Sequence, residues 1–266
     1  MKKFIKASYI FIVLAFIYIP IFILIIASFN SERVMGVWGN FSLAWYAELG
    51  KVKDVIFNTL LLAIISATIA TIIGTLGAIG IYYSKGKAGK VVKGMSQIPV
   101  VNSEVVTACA LVMLFIILGL SNRSIFGLYI GHIILAAPFV VLSVMPKLKQ
   151  MDSSLYEAAL DLGATPFQAL FKVILPEILP GIFTGFMLSI TLSLDDYIIT
   201  AMLAPLGYDT ISTAVYKALA HATEQSGKTI PIYRALTTII FVITLIVVLA
   251  MNFFAKKKDS QAKRKV

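Results

Sequence analysis

Six times along this chain the sequence runs for roughly twenty residues almost without a charge, and that recurrence limits the fold more than any other feature. The runs fall near residues 7–29, 57–83, 100–120, 125–146, 177–204 and 232–254. A bilayer leaves no water for backbone groups, so a spanning segment must be a helix or a barrel strand, and runs of this length suit the helix. The expected fold is an all-α membrane protein with six transmembrane helices, forming one domain over 1–266. Composition agrees: 59% of residues are hydrophobic and 14% charged, against about half and about a quarter in a soluble domain. The first run follows Lys2, Lys3 and Lys6, as a secretory signal would. Its apolar stretch exceeds the roughly 7–15 residues of a signal core, and Ala27-Ser28-Phe29 is a poor cleavage site, so it reads as an uncleaved helix. The third run is the shortest; its extension toward residue 100 puts Asn102, Ser103 and Glu104 at or inside the membrane boundary.

The placement of cations sets the orientation. With the N-terminus inside, 16 of the 23 Lys and Arg fall on inner segments, among them Lys85, Lys87, Lys90 and Lys93, Lys147, Lys149 and Lys172, and the cluster Lys256–Lys265. That bias predicts an N-in, C-in topology and accounts for the net charge of +10 without any nucleic-acid partner. Cys109 is the single cysteine and reads as a small buried hydrophobe, with no disulfide framework available.

Several runs carry small residues at helical spacing: Gly74, Gly77 and Gly80 in the second, Gly127 and Gly131 in the fourth, Gly181 and Gly185 in the fifth. Such spacings let helix backbones approach one another. Pro138 removes a backbone donor inside the fourth run and predicts a kink there.

Residues 150–176, between the fourth and fifth runs, are too regular for a tether. Ser154 with Glu157 predicts a capping box, Gly163 a left-handed helix stop, and Thr165-Pro166 with Gln168 a second helix start that Pro176 ends. Leu155, Ala158, Ala159 and Leu162 share one stripe, and Phe167, Leu170, Phe171 and Ile174 another. These faces suit either a protein partner or the membrane surface. A DNA reader is a poorer fit, because Glu157 and Asp161 repel phosphate.

Glu157-Ala158-Ala159, Gly163 six residues after Glu157, and Ile174-Leu175-Pro176 eleven after Gly163 resemble the EAA loop of the permease subunits of binding-protein-dependent ABC importers. The resemblance covers roughly residues 55–255 and implies a MetI-like core of the type I importers, with one extra helix at the start. It implies further that this loop is a cytoplasmic coupling segment seated in an ATPase. Glu157, Ala158, Ala159, Gly163, Ala164 and Phe167 would then meet that partner, with Gly163 making the turn.

What the sequence lacks agrees with such a division of labour. The nearest approach to a phosphate-binding loop, Gly227-Lys228-Thr229, has Ala222 where the first glycine should stand. His132 and His221 have no Cys or His neighbours at ligand spacing, so no metal site is expected and both read as packed or solvated histidines. The expectation is a transport subunit without cofactor or catalytic residues of its own, ATP and Mg being bound by the partner ATPase.

Three carboxylates, Glu104, Asp195 and Asp196, fall at membrane depth, where a charge is costly and marks a pathway by default. With Tyr197 beside them they suit a cationic solute through ion pairing and cation–π contact. On a helix Asp195 and Asp196 point about 100° apart, so one at most faces a pore unless the helix unwinds there. Helix capping or a salt bridge to Arg234 is the alternative. Leu192-Ser193-Leu194-Asp195-Asp196-Tyr197 and Glu104-Val105-Val106 resemble the spermidine/putrescine branch of the family, although Asn102-Ser103 replaces its usual proline. That branch implies a second permease, a pair of ATP-binding subunits and an external substrate-binding protein as partners. Competing readings are a permease of the same family for another solute and an ion-coupled secondary carrier. The carrier predicts broken helices, which the apolar runs do not display.

Overall fold

The computed structural model describes residues 2–33, 36–84, 94, 100, 102–152, 154–220, 230–243 and 245–246. All regular structure among them is helical, apart from one isolated antiparallel bridge between Asn30 and Phe41. Four helical stretches are long and apolar enough to cross a membrane: Tyr9–Ser28, Ala44–Tyr83, Ile125–Gln150 and Pro166–Asp195. Glu104–Ile117 and Ile230–Ile243 are apolar but shorter, so the third run is helical over 14 residues, about 21 Å. The inner lysines 85, 87, 90 and 93, His221, the segment Gly227-Lys228-Thr229 and the C-terminal basic cluster lie outside the described residues.

The chain divides into two compact units, Met1–Lys53 with Val215–Val266, and Asp54–Ala214. In the first, α1 (Lys2–Ser28) is a 27-residue helix with Pro20 inside it. A loop then turns on Asn30, whose side chain donates to the Val37 carbonyl at 2.6 Å and accepts from the Glu32 and Gly39 amides. Trp45 in the short α2 (Ala44–Ala47) caps the knot by donating Nε1–H to the Asn30 carbonyl at 2.8 Å. This sealed loop was not foreseen from the sequence.

The second unit holds most of α3 (Lys53–Tyr83), then α4 (Glu104–Ile117), α5 (Ile125–Gln150), α6 (Ser154–Asp161), α7 (Pro166–Ala169), α8 (Leu175–Asp195) and α9 (Ile198–Leu203). Its core is organised around α5. Fully buried Val140 sits between two glycines: a Cβ on Gly74 of α3 would lie 2.6 Å from Val140 Cβ, and one on Gly185 of α8 would lie 3.1 Å from Val140 Cα. Three helices therefore meet at one valine because two of them carry no side chain there. The three-residue glycine spacing of α3 is not itself a seam, since a Cβ on Gly80 would meet nothing within 4 Å. Helix α5 continues through Pro138 and Pro146.

Two expectations about the fifth run need correction. Pro176 does not end a helix: α7 passes through a π-helical turn, Leu170–Ile174, directly into α8. The wider turn makes room for a proline ring that would clash with the carbonyl four residues back in a tight α-turn. The run is not one helix to residue 204 either. It stops at Asp195, takes extended backbone at Asp196 (ψ 123°), and restarts as α9. Discontinuous helices, expected to be missing, are present. Between α10 (Ile211–Ala220), which straddles the two units, and α11 (Ile230–Ile243) the chain is not described.

Candidate functional site

The break in the fifth run is where the charged groups gather. Glu104 opens α4, behind an N-cap in which Ser103 Oγ accepts from the Val106 amide at 3.4 Å. A carboxylate in a first helical turn is favoured by the unpaired amides there. Helix α9 packs against α4 through Ile199 and Leu203, which bury Ala108, Leu111 and Phe115. That packing brings Glu104 within electrostatic reach of Asp195 and Asp196. Glu104 and Asp195 are both exposed, and neither carboxylate has a hydrogen-bond partner among the described residues. Tyr197 is half-buried beside them.

Asp196 has a different fate. It is 3% exposed and caps α9 from within: Oδ1 accepts from the Ile199 amide at 3.1 Å, and Oδ2 from the amide and hydroxyl of Thr200, each at 2.9 Å. Ser212 Oγ donates to its backbone carbonyl at 2.5 Å. His132 of α5 closes the cluster at 1% exposure, with Nδ1 2.8 Å from Ser193 Oγ and Nε2 3.1 Å from Thr200 Oγ1. One proton arrangement satisfies every contact: Ser193 donates to Nδ1, Nε2–H donates to Thr200, and Thr200 donates to Asp196. The two adjacent aspartates thus separate in role because the helix ends between them, one directed outward and one locked into the fold.

The cluster lies within the body of α5 and not at its end. His132 is seven residues into α5, on the order of 10 Å from its start. The helix break between Asp195 and Ile198 lies beside it, with Thr200 bonded to both His132 and Asp196. Sequence reasoning missed the role of His132. The available signal was the spacing of Ser193, Asp196 and Thr200, three and four residues apart, with an aspartate at capping distance from Ile199. The Nη2 of Arg234 donates to the carbonyls of Glu32 and Arg33, in its own unit, at 3.3 and 2.9 Å.

The loop after α5 forms a second candidate site. Helix α6 has no buried residue, and Asp152 rather than Ser154 supplies its first cap: Ser154 is already helical and donates its N–H to Asp152 Oδ1 at 2.9 Å. That hydrogen bond holds the Asp152 carboxyl below its ordinary range. Gly163 has φ +85°; its amide donates to Leu160 O and that of Ala164 to Ala159 O, a Schellman stop that favours glycine. Thr165 and Gln168 form the expected capping box. Tyr156 anchors α6 on Tyr83, ring centroids 5.4 Å apart. The outward face stays bare: Glu157, Ala158 and Gly163 are exposed, with Leu162 at 88% and Phe167 at 69%, while Ala159 and Ala164 are half-covered.

Residues 70–260 match the family described as binding-protein-dependent transport system inner membrane component. The chain belongs to that family. This permease is 33% identical to the spermidine/putrescine transport system permease protein PotC of Escherichia coli K12, over 96% of both chains. It is 32% identical to PotC of Haemophilus influenzae over 97% of this chain and 99% of the relative. Identity to the putrescine transport system permease protein PotI of E. coli is also 32%, over 77% and 76%. Among solved structures it resembles a bacterial ABC transporter importing the acidic polysaccharide alginate (TM-score 0.71, 16% identity, 95% of both chains). It also resembles the MetNI methionine ABC transporter in an inward-facing conformation (TM-score 0.59, 19% identity, 80% of this chain and 95% of that one). The permease is thus a multi-pass bacterial inner-membrane protein with the fold of ABC importer permeases.

Proposed function

We propose that this permease carries polyamines, spermidine or putrescine, into the cytoplasm as one subunit of an ATP-driven importer. The observation that carries the reading is the pair of exposed carboxylates, Glu104 and Asp195, at the start of α4 and the end of α8, two helix ends that this reading puts inside the membrane. A flexible polycation needs acceptors spaced along its path and no competing cation, and the described spans hold no Lys or Arg near their centres. The likeness to PotC and PotI over most of the chain supports the same solute class.

In this reading the six apolar runs all span, with both termini cytoplasmic. The loop 150–176 is the coupling segment, where Glu157, Ala158, Ala159, Gly163, Ala164 and Phe167 dock into a separate ATPase that binds ATP and Mg. Its bare apolar face, Leu162 and Phe167 above all, supports a partner rather than a finished surface. The complete transporter joins a second, PotB-like permease, two PotA-like ATPases and an external PotD-like binding protein; this chain contributes no catalytic residue.

Uptake of labelled spermidine and putrescine into cells carrying the chain with its partner genes tests the proposal. Polyamine uptake that depends on ATP and disappears in the Asp195→Asn, Glu104→Gln double variant is the expected result. Uptake of neither polyamine by an assembled transporter overturns the solute assignment.

A further inference from the structure

The first compact unit contains a buried cation whose hydrogen-bonding capacity is only partly used among the described residues. Arg234, the fifth residue of α11, is 4% exposed. Its Nη2 is satisfied by two carbonyls of the loop after α1, yet Nε and Nη1 are buried with no acceptor among the described residues. No carboxylate oxygen among the described residues lies within 4.0 Å of it. Removing a guanidinium from water without an acceptor is strongly unfavourable, so the site calls for an anion from outside the chain.

The cavity that Arg234 lines shows what kind of molecule carries that anion. It measures about 400 Å³, and its walls include Ile23, Leu24 and Ala27 of α1 and Val37 and Trp38 of the loop. Asn30 also lines it, but both ends of its amide are spent on the loop backbone. The cavity therefore offers one cation and otherwise apolar surface. It lies along the last two turns of α1, a helix whose apolar side chains face outward, with Ile23 at 60% and Ile26 at 56% exposure. Residues at the end of a span sit at headgroup depth. A soluble anion would leave the apolar wall wet, and a peptide would need acceptors and donors that Asn30 no longer supplies.

We propose that this cavity binds an anionic phospholipid, its phosphodiester on Arg234 and an acyl chain between α1 and the Val37–Trp38 loop. The site is independent of the solute carried and of the acidic residues at the helix break. It gives the loop after α1 a lipid-dependent anchor, because the same guanidinium holds the carbonyls of Glu32 and Arg33.

The test is native mass spectrometry of the purified full-length chain titrated with palmitoyl-oleoyl phosphatidylglycerol or the zwitterionic phosphatidylcholine. Both lipids offer a phosphodiester, but the choline ammonium neutralises the headgroup and repels the guanidinium, so wild type should retain phosphatidylglycerol at least about tenfold better. Arg234→Gln should abolish the preference and Arg234→Lys keep part of it. Ala27→Trp, which fills the cavity and leaves the charge, should lower retention of phosphatidylglycerol. Equal retention of both lipids by wild type, or an unchanged preference in Arg234→Gln, overturns the site. Displacement by millimolar glycerol phosphate shows a soluble-anion site and overturns the lipid assignment, as does loss of the lipid once partner subunits assemble.

Discussion

Nε2 of His132 lies 3.4 Å from Oδ2 of Asp196, with both side chains wholly buried, so the break in the fifth run is fastened to α5 by a polar pair rather than by packing alone. The carboxylate also accepts from three groups of α9, and cutting it away strands donors that have no water to turn to. Asp196→Ala is expected to cost roughly 2–4 kcal/mol, from a lost cap and buried unsatisfied donors. His132→Ala should cost less. Thermal unfolding in detergent of both single variants and the double variant should give a coupling energy above about 0.5 kcal/mol; additive losses would show that the two side chains act separately.

Asp195 and Glu104 should behave in the opposite way. Both are exposed and have no partner among the described residues, so Asp195→Asn and Glu104→Gln are expected to leave stability within about 0.5 kcal/mol while polyamine uptake falls. Loss of a direct ion pair predicts a drop of roughly tenfold for each. A variant that transports normally removes that residue from the path.

Gly163 stands at φ +85°, where a side chain costs about 1–2 kcal/mol of local strain. Gly163→Asp should leave the chain in the membrane at normal abundance, with uptake lost and ATP hydrolysis no longer stimulated by the loaded binding protein. Normal uptake together with normal ATPase co-purification would remove the coupling role.

Gly74→Val places a branched side chain where Val140 and the Ala137 carbonyl already lie within 3 Å of its Cβ. Overpacking of this kind costs about 1–3 kcal/mol. The expected outcome is a lowered unfolding midpoint, whereas Gly80→Val, facing open space, should be tolerated.

The Asp152 cap carries a pH signature. Its carboxyl is held below the ordinary 3.8, so its contribution is complete above that value and fades as pH falls through the lower folded one. The protection factors of the first amides of α6, exchange rates corrected for the intrinsic pH dependence, should fall below about pH 4 in wild type and already be low at neutral pH in Asp152→Ala.

Local chemistry was legible wherever one short segment decides it. Thr165 with Gln168 and the left-handed Gly163 could be read from residue types alone, because caps and turns are satisfied within a few residues. Reading failed where the deciding contact is distant or where backbone is softer than a rule allows. Pro176 signals a helix stop only if the preceding turn is α, and the π-turn before it cannot be seen in spacing. The separation of Asp195 from Asp196 depends on His132, more than sixty residues away in sequence, and apolar periodicity says nothing about such a pair.

The unbroken path from Pro166 through the π-turn to Asp195 has a mechanical consequence. Thirty residues of continuous helix make a rod about 45 Å long, with an exposed aromatic at one end and an exposed carboxylate at the other. A tilt of about 10° pivoting at Pro166 sweeps Asp195 sideways by roughly 8 Å, close to the spacing between two packed helices. A lever of that length turns a small rotation near the loop into displacement by a full helix width at the acid.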